Sequence, residues 1–173
     1  VRDAAEVCRV LGIPHFVVDF RKEFRQQVME RFVQDYRHGL TPNPCVDCNR
    51  TIKFAAFADK AKELGYDAMI STVPYYYKFG MKAISEYYNT LRETVDLPLF
   101  LYNFPGNTGV ELDIADDHIR GMLTDGTIAG VKQTSLNLYQ MERIRDLNPE
   151  LVIYGGFDEV YIGARILGAD GAI

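Results

Sequence analysis

From residue 68 onward, short apolar segments alternate regularly with amphipathic ones. The apolar segments are rich in β-branched and aromatic residues, which is typical of buried strands, and they cover residues 68–73, 97–103, 128–134, 151–155 and 171–173. The amphipathic segments predict helices over residues 81–95, 111–124, 136–147 and 159–167. Such an order implies right-handed β-α-β units and a parallel sheet covered by helices on both faces.

The first part of the chain continues this order with less regularity. Helices are predicted over residues 2–11, 23–37 and 52–64, and a buried strand over residues 13–20. Residues 39–50 contain two closely spaced prolines, which predict a loop. We therefore expect an α/β fold with about six mostly parallel strands in a single domain, residues 1–173.

Composition divides the chain into two parts. Residues 1–66 carry 11 basic and 9 acidic side chains, whereas residues 67–173 carry 8 and 15. All three cysteines lie in the first part and nine of the eleven tyrosines in the second. A net charge of +2 on the first part is small for a nucleic-acid partner, because phosphate contacts dominate such binding.

The compartment is predicted from features of the whole sequence. No apolar run reaches the length of a membrane span, and the polar amino terminus does not resemble a signal peptide. Three cysteines are an odd number without framework spacing, which favours reduced thiols. We expect a cytoplasmic chain with no membrane partner, and both termini have the character of cut ends.

Cys45 and Cys48 lie in the proline-containing loop. Cys48 is expected just before a helix, where backbone N–H groups and the helix dipole favour a thiolate, and Arg50 and Lys53 would add positive charge. A zinc-ligand pair is an alternative, but no second pair follows at finger spacing, so no metal is expected. The remaining interpretation is a pair of unreactive loop cysteines.

Residues 1 to about 66 resemble the bacterial tRNA 2-thiouridylases. The resemblance rests on Leu-Gly-Ile-Pro-His-Phe-Val-Val-Asp-Phe and on Thr-Pro-Asn-Pro-Cys-Val-x-Cys-Asn-Arg-x-Ile-Lys-Phe. It implies that Cys48 takes up sulfur for transfer to tRNA, and that the fold is a Rossmann-like fragment of a PP-loop ATPase. The family's phosphate-binding loop does not occur in these residues, so no cofactor is expected.

Lys132 and Tyr102 each stand at the end of an apolar strand. Neighbouring parallel strands bring their carboxyl ends together, so the amine and the phenol are expected to be close. A lysine amine that loses its charge can form a Schiff base with a carbonyl, and the phenol can relay a proton. The alternative is a lysine that extends to the sheet edge beside a tyrosine of the core.

Residues from about 64 to 173 resemble the N-acetylneuraminate lyase and dihydrodipicolinate synthase family. The resemblance rests on Pro-Tyr-Tyr-Tyr-Lys-Phe, Tyr-Asn-Phe-Pro, Gly-Val-Lys-Gln-Thr-Ser and Gly-Phe-Asp-Glu. It implies a half TIM barrel in which Lys132 forms the Schiff base, Tyr102 relays protons and Tyr76 completes the relay of a neighbouring subunit. It also implies residues that bind the hydroxyl groups of a sugar acid: Thr134, Gly156, Asp158 and Glu159.

The two resemblances meet near residues 59–69. We therefore interpret the chain as an engineered or recombined chimera, a half barrel fused to a Rossmann-like fragment, without a complete active site. An open or flattened sheet would leave free edges and favour self-association. The alternative function is residual class I lyase activity on a small 2-oxo acid or sugar acid. The second alternative is a tRNA thiolation fragment that uses Cys48.

Overall fold

A computed structural model describes residues 2–173 as two compact units, with a boundary between Lys53 and Phe54. This boundary lies shortly before the predicted join at residues 59–69, and the single domain with that join stays a prediction. None of the helices described over residues 2–173 has the length and apolar character needed to cross a bilayer.

The described residues 2–53 of the first unit form helical segments joined by irregular backbone. Helix α1 (Arg2–Leu11) is followed by Gly12, whose positive φ of 68° is readily adopted by glycine and stops the helix. The successive helical segments, two of which have the wider π-helical winding, are α1 (Arg2–Leu11), α2 (Arg21–Phe24), π-helical Arg25–Met29, α3 (Glu30–Arg37), α4 (Pro44–Cys48) and π-helical Asn49–Ala56, which crosses the unit boundary.

The strand predicted over residues 13–20 is wrong. These residues form irregular backbone, and the side chains of Ile13, Phe16 and Val17 are more than half exposed. A strand requires a neighbouring strand for its N–H and C=O groups, and the described residues of the first unit contain none. The sheet that the structure describes within residues 2–173 therefore has five strands rather than about six.

The loop predicted over residues 39–50 is wrong in its second half. Helix α4 begins at Pro44, and the Asn43 side chain caps it by accepting a hydrogen bond from the Cys45 N–H at 3.1 Å. Proline at the first helical position loses no hydrogen bond, because the first N–H groups of a helix have no partner inside it. Pro44 thus starts a helix here instead of excluding one.

The second unit contains helix α5 (Phe57–Glu63) and then the predicted alternation of strands and helices. The strands are β1 (Met69–Thr72), β2 (Leu99–Asn103), β3 (Gly130–Gln133), β4 (Val152–Gly155) and β5 (Gly171–Ala172). The helices that follow them are α6 (Met81–Thr94), α7 (Pro105–Thr108), α8 (Asp117–Thr124), α9 (Leu138–Leu147) and α10 (Tyr161–Ile166). The five strands are parallel and lie in sequence order.

Helices cover one face of this sheet, not both as predicted. Because neighbouring strands follow one another in the sequence, every right-handed crossover passes over the same face, and coverage of both faces would need a reversal of strand order. The covered face forms the core with α6, α8 and α9, through residues that include Leu101, Val131, Ile84, Ile119 and Ile144. The α/β class and the open, unclosed parallel sheet are confirmed.

Candidate active site

The strand register places four side chains in one row across the uncovered face. Thr72 pairs with Tyr102, Tyr102 with Lys132, and Lys132 with Tyr154. Successive side chains of a strand point to opposite faces, and the residues on either side of Tyr102 and Lys132 are buried in the sheet's other face. The row lies towards the carboxyl ends of the strands, where loops can reach a bound molecule.

Lys132 and Tyr102 are in direct contact. The Lys132 Nζ atom lies 4.6 Å from the centre of the Tyr102 ring, and both side chains are half-buried. The face of an aromatic ring attracts an ammonium group at this distance. The Tyr102 ring is also stacked on Phe104, with 5.7 Å between centroids, so its position is fixed from the loop side. The predicted proximity of amine and phenol is thus present in the structure.

Thr134 and Gly156 meet just beyond the ends of β3 and β4. The Thr134 N–H donates to the Asn103 carbonyl at 2.8 Å, and the Gly156 N–H donates to the Gln133 carbonyl at 2.9 Å. A Cβ atom at Gly156 would overlap Thr134 Oγ1 and lie 2.8 Å from Thr134 Cβ. The Thr134 hydroxyl is buried and has no hydrogen-bond partner, which is uncommon for a buried polar group.

The remaining predicted lyase residues are exposed. Tyr76 lies between β1 and α6 with 86% of its surface accessible, in contact with the ring of Tyr77. Asp158 and Glu159 form the start of a short 3-10 turn, Asp158–Val160, that precedes α10. The structure therefore brings Lys132 and Tyr102 together, joins Thr134 to Gly156, and leaves the other three side chains at the surface.

Sequence reasoning missed a buried network of three amides beside the reactive pair. Asn103 Nδ2 donates to Gln133 Oε1 at 2.8 Å and to Gln140 Oε1 at 3.0 Å, and Gln133 Nε2 donates to Gln140 Oε1 at 2.7 Å. Gln140 Nε2 in turn donates to the Leu112 carbonyl at 2.7 Å. Asn103 and Gln133 directly follow Tyr102 and Lys132 in their strands. The sequence signal for this network was a polar residue, Asn103 or Gln133, at a strand position whose side chain points to the buried face.

Cys48 does not lie before a helix, contrary to the prediction. It is the last residue of α4, and the chain continues in helical conformation as Asn49–Ala56. The helix start that the activated-thiolate interpretation needs is at Pro44 instead. Across residues 2–173 no group of three or more histidine, cysteine, aspartate or glutamate side chains is arranged to hold a metal ion.

The comparisons with known proteins match two families over ranges that overlap along the chain. Residues 1–106 match the family model described as the tRNA methyl transferase HUP domain. The chain belongs to this HUP-domain family. The match includes β1, α6 and β2, a β-α-β unit of the kind that many α/β folds share. The resemblance to tRNA-modifying enzymes expected for the first part is thereby confirmed.

The later part of this HUP-family chain has homologues among the lyases. The N-acetylneuraminate lyase of Escherichia fergusonii is 35% identical over 150 residues, which are 86% of this chain and 50% of that protein. Since that alignment is longer than residues 67–173, it extends into the first part. The chain spans about half the length of the curated relatives it matches.

Two solved structures carry the same likeness. CdNal from Clostridium difficile, in complex with mannosamine, is 40% identical with a TM-score of 0.63, over 68% of this chain and 40% of that one. YagE, an E. coli prophage protein of the dihydrodipicolinic acid synthase family in complex with pyruvate, is 28% identical with a TM-score of 0.60. The match covers 68% of this chain and 41% of that one. The open sheet is a partial barrel of this fold.

Proposed function

We propose that the second unit condenses a small 2-oxo acid with Lys132 to form a Schiff base. The observation that carries the proposal is the contact between Lys132 Nζ and the Tyr102 ring at the carboxyl ends of paired strands. The Lys132 amine would supply the nucleophile, and the hydroxyl of the neighbouring Tyr102 the proton carrier, that the reaction requires.

The reaction balances with the groups of this chain and water. The neutral Lys132 amine attacks the carbonyl carbon of the 2-oxo acid, and a C–N bond forms. The carbonyl oxygen is protonated twice and leaves as water, while the nitrogen loses its two protons. We assign the proton transfers to the Tyr102 hydroxyl, which carries one proton at a time. No cofactor enters this sequence of steps.

Two features support a 2-oxo acid or a sugar acid as the substrate. The relatives include N-acetylneuraminate lyases and a structure in complex with pyruvate. In this chain, the partnerless Thr134 hydroxyl beside Gly156 offers a hydrogen-bonding group for a substrate hydroxyl. The exposed carboxylates of Asp158 and Glu159 can accept hydrogen bonds from further hydroxyl groups of the substrate.

We further propose that the chain joins two lineages near residues 59–69 and does not complete the lyase cycle. The family match over residues 1–106 and the lyase likeness, which also reaches into the first part, support two lineages that overlap along the chain. Tyr76, which the resemblance assigns to the relay of a neighbouring subunit, is exposed, so the relay within one copy ends at Tyr102; this supports imine formation without efficient cleavage. Sulfur transfer through Cys48 stays an untested alternative.

Borohydride trapping tests the proposal. We expect the full chain incubated with pyruvate and sodium borohydride to gain one N-carboxyethyl group, located on Lys132 by peptide mass spectrometry. Lys132→Arg should abolish the adduct, whereas Lys82→Arg, at an exposed side chain of α6, should not change it. An adduct spread over surface lysines would overturn the proposal. Release of pyruvate from N-acetylneuraminate at a rate typical of enzymes would overturn the second part only.

A further inference from the structure

The Cys-Val-Asp-Cys segment of the first unit has a geometry that the proposed imine chemistry does not use. Cys45 and Cys48 are the second and last residues of α4, three positions apart on one helical turn. Helix geometry places Cα atoms at this spacing about 5 Å apart. Disulfides occur at Cα separations of roughly 4.4–6.8 Å, so the two cysteines can be bridged with little backbone movement.

The two thiols differ in access to solvent. Cys45 is exposed and Cys48 is half-buried, and both are free thiols in the structure. The cap from Asn43 to the Cys45 N–H holds the first turn of α4 in place, which fixes the backbone of Cys45 relative to Cys48. This is the arrangement of a reacting thiol at the surface with a second thiol one turn behind it.

The acidic residue between the cysteines is neutralised by two arginines. The buried Asp47 carboxylate lies 3.5 Å from Arg31 Nε and 3.3 Å from Arg50 Nη2. Its negative charge is therefore compensated within the unit. Cys8, the third cysteine, lies in α1, and no other cysteine lies in that helix.

We propose that Cys45 and Cys48 form a redox-active dithiol that reduces a low-molecular-weight disulfide. The Cys45 thiolate attacks one sulfur of the external disulfide, whose S–S bond breaks and releases one thiolate. The Cys48 thiolate then attacks the Cys45 sulfur, closes the internal disulfide and releases the second thiolate. The two protons lost by the cysteines protonate the released thiols, and two electrons pass from the cysteines to the external disulfide.

Peptide mapping in glutathione buffers tests this proposal directly. The full chain is equilibrated with mixtures of glutathione and glutathione disulfide, quenched in acid, alkylated and digested with trypsin. Cleavage after arginine leaves Cys45 and Cys48 together in the peptide of residues 38–50, and Cys8 in that of residues 3–9. We expect the first peptide to lose two hydrogens and escape alkylation, while the second stays alkylated.

Matched variants distinguish this pair from incidental oxidation. Cys8→Ser should leave the oxidation equilibrium within about twofold of the unmodified chain, whereas Cys45→Ser and Cys48→Ser should abolish the internal disulfide. In concentrated urea the equilibrium constant should fall at least about tenfold, because the helix no longer orients the pair. Cross-linked peptides containing Cys8, or an unchanged constant in urea, would overturn the proposal. If a variant does not fold, the peptide map of the unmodified chain still tests whether Cys45 and Cys48 form the internal disulfide.

Discussion

The Nζ atom of Lys132 lies 4.6 Å from the centre of the Tyr102 ring, and these two residues are Cα partners in adjacent parallel strands. Their contact is thus set by the register of β2 and β3. A slip of one residue would turn Lys132 to the face that the helices cover. The contact between Lys132 and Tyr102 is therefore set by the pairing of the strands, whereas the position of Tyr76 is set by an exposed loop.

Removal of the Tyr102 hydroxyl separates proton transfer from binding. We expect Tyr102→Phe to slow imine formation with pyruvate by about a hundredfold, because the ring remains over Lys132 but its proton carrier is lost. The time course of borohydride-trapped adduct measures this rate. Tyr139→Phe, at an exposed tyrosine of α9, is the control and should leave the rate unchanged. Equal rates in all three chains would exclude Tyr102 from proton transfer.

The strands of the second unit could be predicted because each is a short apolar run between a helix and a turn. The segment 128–134, for example, contains all of β3 (Gly130–Gln133). The segment 13–20 is also rich in apolar and β-branched residues, but it has no neighbouring strand in the described first unit and is irregular. Composition indicates what a segment can bury, whereas a strand also needs a partner for its backbone.

The candidate site was predictable only in part. Lys132 and Tyr102 followed from their position at strand ends, a relationship that parallel sheets impose. The Gln140 link in the amide network did not, because it joins a helix to two strands that are distant in sequence. The position predicted for Cys48 is wrong because Pro44 begins a helix where the spacing of the prolines predicts a loop.

Gly156 is required by its close approach to Thr134. We expect Gly156→Ala to destabilise the second unit by about 2 kcal/mol, because the new methyl group would overlap the Thr134 side chain. Gly121→Ala is the matched control: its Cβ would meet no atom within 4 Å, and alanine is favoured inside α8. Alanine there should stabilise by about 0.5 kcal/mol. Urea unfolding measures both, and equal effects would contradict this packing.

The buried amide network should be sensitive to loss of Gln140. In Gln140→Leu, Gln133 Nε2 loses its acceptor and the Leu112 carbonyl loses its donor. Buried groups left without partners cost about 1–3 kcal/mol, so we expect a destabilisation of about 2 kcal/mol. Asn89→Ala removes an exposed hydrogen bond to Thr127 and should cost about 0.5 kcal/mol or less. Similar losses in urea unfolding would show that the network contributes nothing beyond a surface contact.

Asp170 should make the second unit sensitive to acid. Burial acts to raise the pKa of Asp170, but hydrogen bonds from the Ile153 N–H and from Arg145 outweigh it and hold the pKa below its ordinary 3.8. A carboxylate with a lowered pKa stabilises the fold above its ordinary pKa, and this contribution is lost as the pH falls through the lower folded value. Between about pH 6 and about pH 3, the unfolding midpoint of the unmodified chain should fall more than that of Asp170→Asn. Asp117→Asn, in the first turn of α8, should behave like the unmodified chain. An equal fall in Asp170→Asn would exclude this linkage.

Strands β1 and β5 are the two edge strands of the described sheet, and we expect a second copy to add at the outer edge of β1. Strand β1 pairs with β2 on one side only among the described strands, and Ile70 within it is 46% exposed. Unpaired strand edges with apolar side chains favour association, and a lysine at such an edge opposes it. We expect light scattering to give a mass above one chain, which Ile70→Lys lowers to one chain. Ile162→Lys, at an exposed residue of α10, should leave the oligomer unchanged. A single-chain mass for the unmodified protein at every concentration would exclude association through this edge.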